Sequence, residues 1–126
     1  MKSIIWFRND LRIDNNPALR AACENSSEVN AIFLYSQQQL EKHNEANVKL
    51  DFLIENLRCL NNRLNELNIP LSIIESSGFD KDPNIILETA IDRNVNKVFF
   101  NKQFGEDEQK RDKEVINFLD SSNIKN

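Results

Sequence analysis

Four short apolar runs recur along this chain, each followed by a polar loop and then by a segment with apolar residues at helical spacing. Ser3 to Phe7 (SIIWF) show no helical period and precede a charged, Asn-rich stretch, as expected for a strand buried on both faces. Asn16 then reads as the cap of a helix through ALRAACE with Pro17 in its first turn, where a missing N–H costs nothing. Val29 to Tyr35 form the second run. The polar segment SQQQLEKHNEAN separates it from a long helix carrying Leu50, Leu53, Ile54, Leu57, Leu60, Leu64 and Leu67. Pro70 ends that helix, Leu71 to Glu75 are the third strand, and Asp82 with Pro83 opens a helix bearing Ile85, Ile86, Leu87 and Ile91. Lys97 to Asn101 form the fourth strand. The acids Glu106, Asp107 and Glu108 start a last helix, with Val115, Ile116 and Leu119 on one face and Lys110 and Arg111 placed as basic partners four residues on.

Strict β-α alternation predicts an α/β fold: a Rossmann-like, doubly wound parallel sheet with helices on both faces and right-handed crossovers. With 126 residues the chain is one domain, 1–126. Ligands of such sheets sit at the carboxyl ends of the strands, where strand order reverses. The candidate loops are Arg8 to Asn16, Ser36 to Asn47, Ser76 to Asp82 and Lys102 to Asp107.

Composition closes several routes. Gly78 and Gly105 are the only glycines, too few for a dinucleotide fingerprint or phosphate loop, which argues against a stand-alone nucleotide-binding protein of this topology. A phospho-acceptor receiver would need clustered acids after the first strand, where Asp10 stands alone. The net charge of −4 has the wrong sign for autonomous binding to DNA phosphates. Cys23 and Cys59 read as free thiols on apolar helix faces, and the single His43 has no partners for a metal site, so no metal is expected. No run nears the roughly 20 apolar residues of a membrane span, and a cytoplasmic chain without membrane partners is expected. Asn occurs 19 times, a compositional bias without a tract.

On residue type alone, His43 is a solvated loop histidine and the acids at 106–108 complement a helix dipole. Arg8, Asp10 and Arg12 are denser than a bland surface loop explains; a fixed ion-pair network does explain them, with Asn15 and Asn16 completing the loop.

The stretch WFRNDLRIDNNPAL, Trp6 to Leu19, closely resembles the WFRxDLRxxDNxAL opening of the DNA photolyase and cryptochrome family. ACENSS, VNAIFLY, NIPL and FFNKQFGEDEQKRDKEV are similar as well, so the resemblance runs through the whole chain. It implies the N-terminal, antenna-binding domain of a bacterial deoxyribodipyrimidine photolyase, lacking its last strand, its linker and the helical domain that holds FAD and damaged DNA. The implied parent splits cyclobutane pyrimidine dimers by light-driven electron transfer from reduced FAD. This portion has no catalytic residues of its own; it meets DNA only through the parent, and its open sheet edge favours self-association. A light-sensing cryptochrome with the same domain is the other implied reading. For a methenyltetrahydrofolate antenna the resemblance implies His43, Asn44, Asp107 and Glu108 as contacts, Glu108 accepting from pterin N–H groups. Binding would be weak without the FAD domain. Asn15, Phe104, Gly105 and Asp107 depart from the family's usual Asp, Tyr-Glu and Asn, and Asp107 is an acceptor only, which leaves deazaflavin, or no antenna, as alternatives.

Overall fold

The computed structural model describes residues 1–36, 46–76, 78 and 80–126, and for 46–50 the backbone alone. Strands β1 (Lys2–Phe7), β2 (Glu28–Tyr35), β3 (Leu71–Glu75) and β4 (Lys97–Phe99) alternate with helices α1 (Pro17–Asn25), α2 (Ala46–Glu66), α3 (Asp82–Asp92) and α4 (Glu106–Ser121). All strand pairings are parallel, in the order β3-β2-β1-β4. The chain winds outward from β1 to β3 and then crosses back to the other side of β1, so strand order reverses between β1 and β4. Beyond β4, Lys125 bridges Lys97, and Val98 N–H donates to the Lys125 carbonyl at 2.9 Å. Residues Ile124 to Asn126 thus lie where a fifth strand would pair.

Alternation along β1 divides the core. Ile5 and Phe7 join Ala31, Phe33 and Phe99 beneath α1 and α2, whose Leu19, Ala22, Leu57, Leu60 and Leu64 are buried there. Ile4 and Trp6 join Ile32 and Val98 against Ile86 and Ala90 of α3 and Val115 and Leu119 of α4. The apolar stripe of α2 is narrower than its sequence suggests, since Ile54 and Leu67 are about half exposed, and so is Ile91 of α3. α2 also begins inside the stretch read as a polar linker. Cys23 and Cys59 are free thiols but exposed rather than turned to the core.

Part of the asparagine excess has a structural use. Asn68, Asn94 and Asn123 follow α2, α3 and α4 with φ of 60°, 54° and 60°, the left-handed conformation that asparagine tolerates better than most residues. In each case the next residue donates its N–H to a carbonyl one helical turn back: Ile69 to Leu64, Val95 to Ala90 and Ile124 to Leu119, each at 2.9 Å. Ile69, Val95 and Ile124 are themselves buried. The same helix stop, an asparagine followed by a β-branched apolar residue, is therefore used three times.

Candidate functional site

The loop after β1 is built on hydrogen bonds more than on charge. Asn16 caps α1, its side chain accepting from Leu19 N–H at 3.2 Å, while its amide donates to the carbonyls of Arg12 and Asp10. Asp10 accepts from the Arg8 N–H at 2.9 Å and from the Asn101 amide at 2.5 Å. Asn101 also donates to Asn16 and accepts from Ala18 N–H, which ties the end of β4 to the start of α1. β4 stops at Phe99 rather than Asn101, which frees Asn101 for this work. Asn15 sits at φ 52°, and the exposed Arg12 reaches only its carbonyl, at 3.3 Å. The expected ion pairing among Arg8, Asp10 and Arg12 does not form among the described residues.

Arg8 instead runs the other way. Its guanidinium donates to Asp112 at 2.7 Å and to the Asn101 carbonyl, with its carbon 4.5 Å from the centroid of the Trp6 ring. Asp112 accepts as well from Arg111 at 3.2 Å, and Arg111 lies 3.9 Å from Asp82 and donates to Gln103. Arg111, read from sequence as a solvated partner for the acids of the first turn, is buried, because the pitch of α4 turns it toward the sheet beside Val115. Asp82 does not cap α3; it accepts a short hydrogen bond from Ser76. Burial raises the Asp82 carboxyl above its ordinary range, against the Ser76 hydrogen bond and the Arg111 charge. Burial likewise lowers Arg111, against the pull of Asp112.

Two clefts open at this carboxyl edge. The smaller, about 150 Å³, lies over Trp6 and Arg8 between Tyr35, Ser36, Ser76, Gly78 and Arg111. The larger, about 440 Å³, lies at the point of strand reversal, between Asn9, Asp10 and Arg12 after β1 and Asn101 to Gly105 after β4. Glu108 borders both. Its carboxylate occupies the space beside Gly105 where a Cβ would stand. Among the described residues no hydrogen bond or ion pair engages that carboxylate, so its acceptor sites are open to a ligand. Phe104, 82% exposed, stands at the rim of the larger cleft. Asp107 is exposed and lines neither cleft, while His43 and Asn44 lie outside the described residues.

Residues 3–126 match the DNA photolyase family. This chain belongs to that family. It is 34% identical over 123 residues to a deoxyribodipyrimidine photo-lyase of Buchnera aphidicola subsp. Baizongia pistaciae, an alignment covering 97% of this chain and 26% of that protein. The corresponding protein of Escherichia coli is 34% identical over 113 residues, covering 89% of this chain and 24% of its own length. The chain therefore spans about a quarter of the length of these relatives. A Synechocystis cryptochrome shares the fold at TM-score 0.86 and 18% identity, over 98% of this chain and 26% of that one. So does an archaeal photolyase from Sulfolobus tokodaii described with two FAD molecules, at TM-score 0.81 and 20% identity, over 99% and 28%. Among the described residues no helix is long and apolar enough to cross a membrane.

The elements and the four candidate loops were readable from sequence; which two loops line the larger cleft was not, nor was the charged cluster. Arg8 meets Asp112 across 104 positions, and no local pattern signals such a pair. Asn101 carried one signal, a polar amide at the carboxyl end of an apolar strand.

Proposed function

We propose that this chain is the light-harvesting antenna domain of a DNA photolyase and takes a flat, N–H-bearing chromophore at the strand-reversal cleft. The observation that carries this reading is Glu108, a carboxylate without a hydrogen-bond or ion-pair partner among the described residues, set between two clefts at the carboxyl end of the strands, where sheets of this kind take ligands. A pterin ring presents adjacent N–H donors, and a carboxylate accepts such a pair through two charge-assisted bonds. Methenyltetrahydrofolate fits that chemistry, and the family resemblance implies His43 and Asn44 as further contacts. Asp107, exposed and an acceptor only, is the weakest of the four contacts. A flavin-type antenna is the second reading, supported by the light-harvesting cofactor implicated in the archaeal photolyase with two FAD molecules.

In the whole protein, FAD and the dimer-splitting electron transfer belong to residues outside this chain, which contributes excitation energy and reaches damaged DNA through that parent. Cryptochrome relatives, among them cryptochrome-2 of Gallus gallus at 28% identity over 92 residues, support a light-sensing parent as the other possibility. The test is equilibrium titration of the chain with methenyltetrahydrofolate and, separately, flavin mononucleotide, followed by chromophore absorbance. Saturable binding of the folate at one site per chain is expected; binding of neither would end the antenna reading.

A further inference from the structure

The chain has a single tryptophan. Trp6, next to last in β1, is 1% exposed and floors the smaller cleft. Two guanidinium carbons lie close to its ring centroid, Arg8 at 4.5 Å and Arg111 at 5.0 Å. The side chains of both arginines are only 5% exposed, so solvent screens their charge weakly. The counter-charges of Asp112 and Asp82 are held at the guanidinium nitrogens. Fold stability alone does not call for this, since a buried ion-pair cluster is commonly replaceable by apolar side chains of similar volume.

Indole is the most easily oxidised of the protein's aromatic side chains. An excited heterocycle nearby takes one electron from it, leaving a chromophore radical anion and an indole radical cation; recombination returns both to the ground state and the excitation is lost as heat. A cation beside the ring is attracted to the neutral π system and repels the radical cation, so it opposes that step. We infer that Arg8 and Arg111 make Trp6 a poor electron donor, so that a chromophore excited at the neighbouring cleft keeps its energy for transfer. The consequence for a chromophore rests on the antenna reading; the electronic property of Trp6 does not. Both arginines act through the ring, as positioning residues. Tyr35, the one tyrosine, also borders the cleft and can be oxidised with its phenol proton passing to water, so the indole radical, not the loss of the flavin triplet alone, reports on Trp6.

The test uses the chain without any bound chromophore. Triplet riboflavin, formed by a laser flash, takes one electron from Trp6; the flavin radical anion is protonated by water and the indole radical cation loses its Nε1 proton to water in the cleft. The rate is divided by that of acrylamide quenching of Trp6 fluorescence, which reads access to the ring alone. The ratio in the native chain should be about tenfold or more below that of the same chain unfolded in urea, a difference worth about 1.4 kcal/mol. Arg111→Met should raise the native ratio about threefold or more, and Arg111→Lys, which keeps the charge, should restore most of it. Equal ratios in native and unfolded wild-type chain overturn the inference, whether or not the variants fold. A low native ratio in a chain that binds no chromophore would overturn the antenna reading and leave this one standing.

Discussion

The two faces of this sheet are built from the same strands and differ in kind. Beneath α1 and α2 the buried residues contributed by β1, Ile5 and Phe7, meet leucines and alanines, and that face is a conventional apolar core. Beneath α3 and α4, Ile4 is followed by Trp6 and then by Arg8, and the apolar packing gives way to Arg8, Arg111, Asp112 and Asp82, all buried. Burying charge costs several kcal/mol per ion before pairing offsets it, so a face that needed only to cohere would resemble the first. One face thus supports the sheet, and the other fixes the carboxyl edge where both clefts open.

The largest expected effect comes from breaking the charged face. Asp112→Ala leaves two buried guanidiniums without their shared acceptor and should cost about 3–5 kcal/mol in urea unfolding. Leu64→Ala on the opposite face leaves a cavity and should cost about 3 kcal/mol. The emission spectrum of Trp6 separates them: it should shift in the folded Asp112 variant and stay unchanged in the Leu64 variant. A shift in both would mean that the faces are not independent.

A smaller effect tests a feature common to both faces, the asparagine helix stops. Asn94→Ala should cost about 1 kcal/mol, because alanine pays the left-handed penalty, whereas Asn94→Gly should be within a few tenths. Thermal melts of the two variants decide it; equal losses would mean the side chain of Asn94, not its backbone angle, is what matters.

How much of this was legible in the sequence follows the range of the interactions. Asn16 and Pro17 announce α1 because a cap is a three-residue device, and the strands announce themselves by short apolar runs. The strand-reversal cleft was implied by topology, though not which two loops would form it. Arg111 was misread because the acids just before it in α4 offered a nearer explanation than Asp112 and Asp82, and its burial depends on how α4 packs against α3. The loop charges Arg8, Asp10 and Arg12 suggested an ion-pair network that does not form among the described residues, since Arg8 pairs with α4 and Asp10 with an amide.

Smaller still is the pH response of the charged face. The folded-state pKa of Asp82 is raised above 3.8 by burial, so its contribution to stability is full below that value and is lost as pH rises through the folded pKa. Asp82→Asn removes this dependence, while its side-chain oxygen can still accept from Ser76. Relative to wild type, the variant should therefore gain stability as pH is raised from about 4 to about 7, seen as converging or crossing urea midpoints. A variant that loses ground over that range would show that the Arg111 pair outweighs burial.

The most direct measurement compares methenyltetrahydrofolate binding to wild type and to Glu108→Gln by near-ultraviolet absorbance titration. If Glu108 accepts the pterin N–H pair, losing a charge-assisted bond worth about 1–3 kcal/mol weakens binding by roughly tenfold or more. Unchanged affinity, with melting temperature lowered slightly, would make Glu108 only a first-turn acid of α4 and contradict the account.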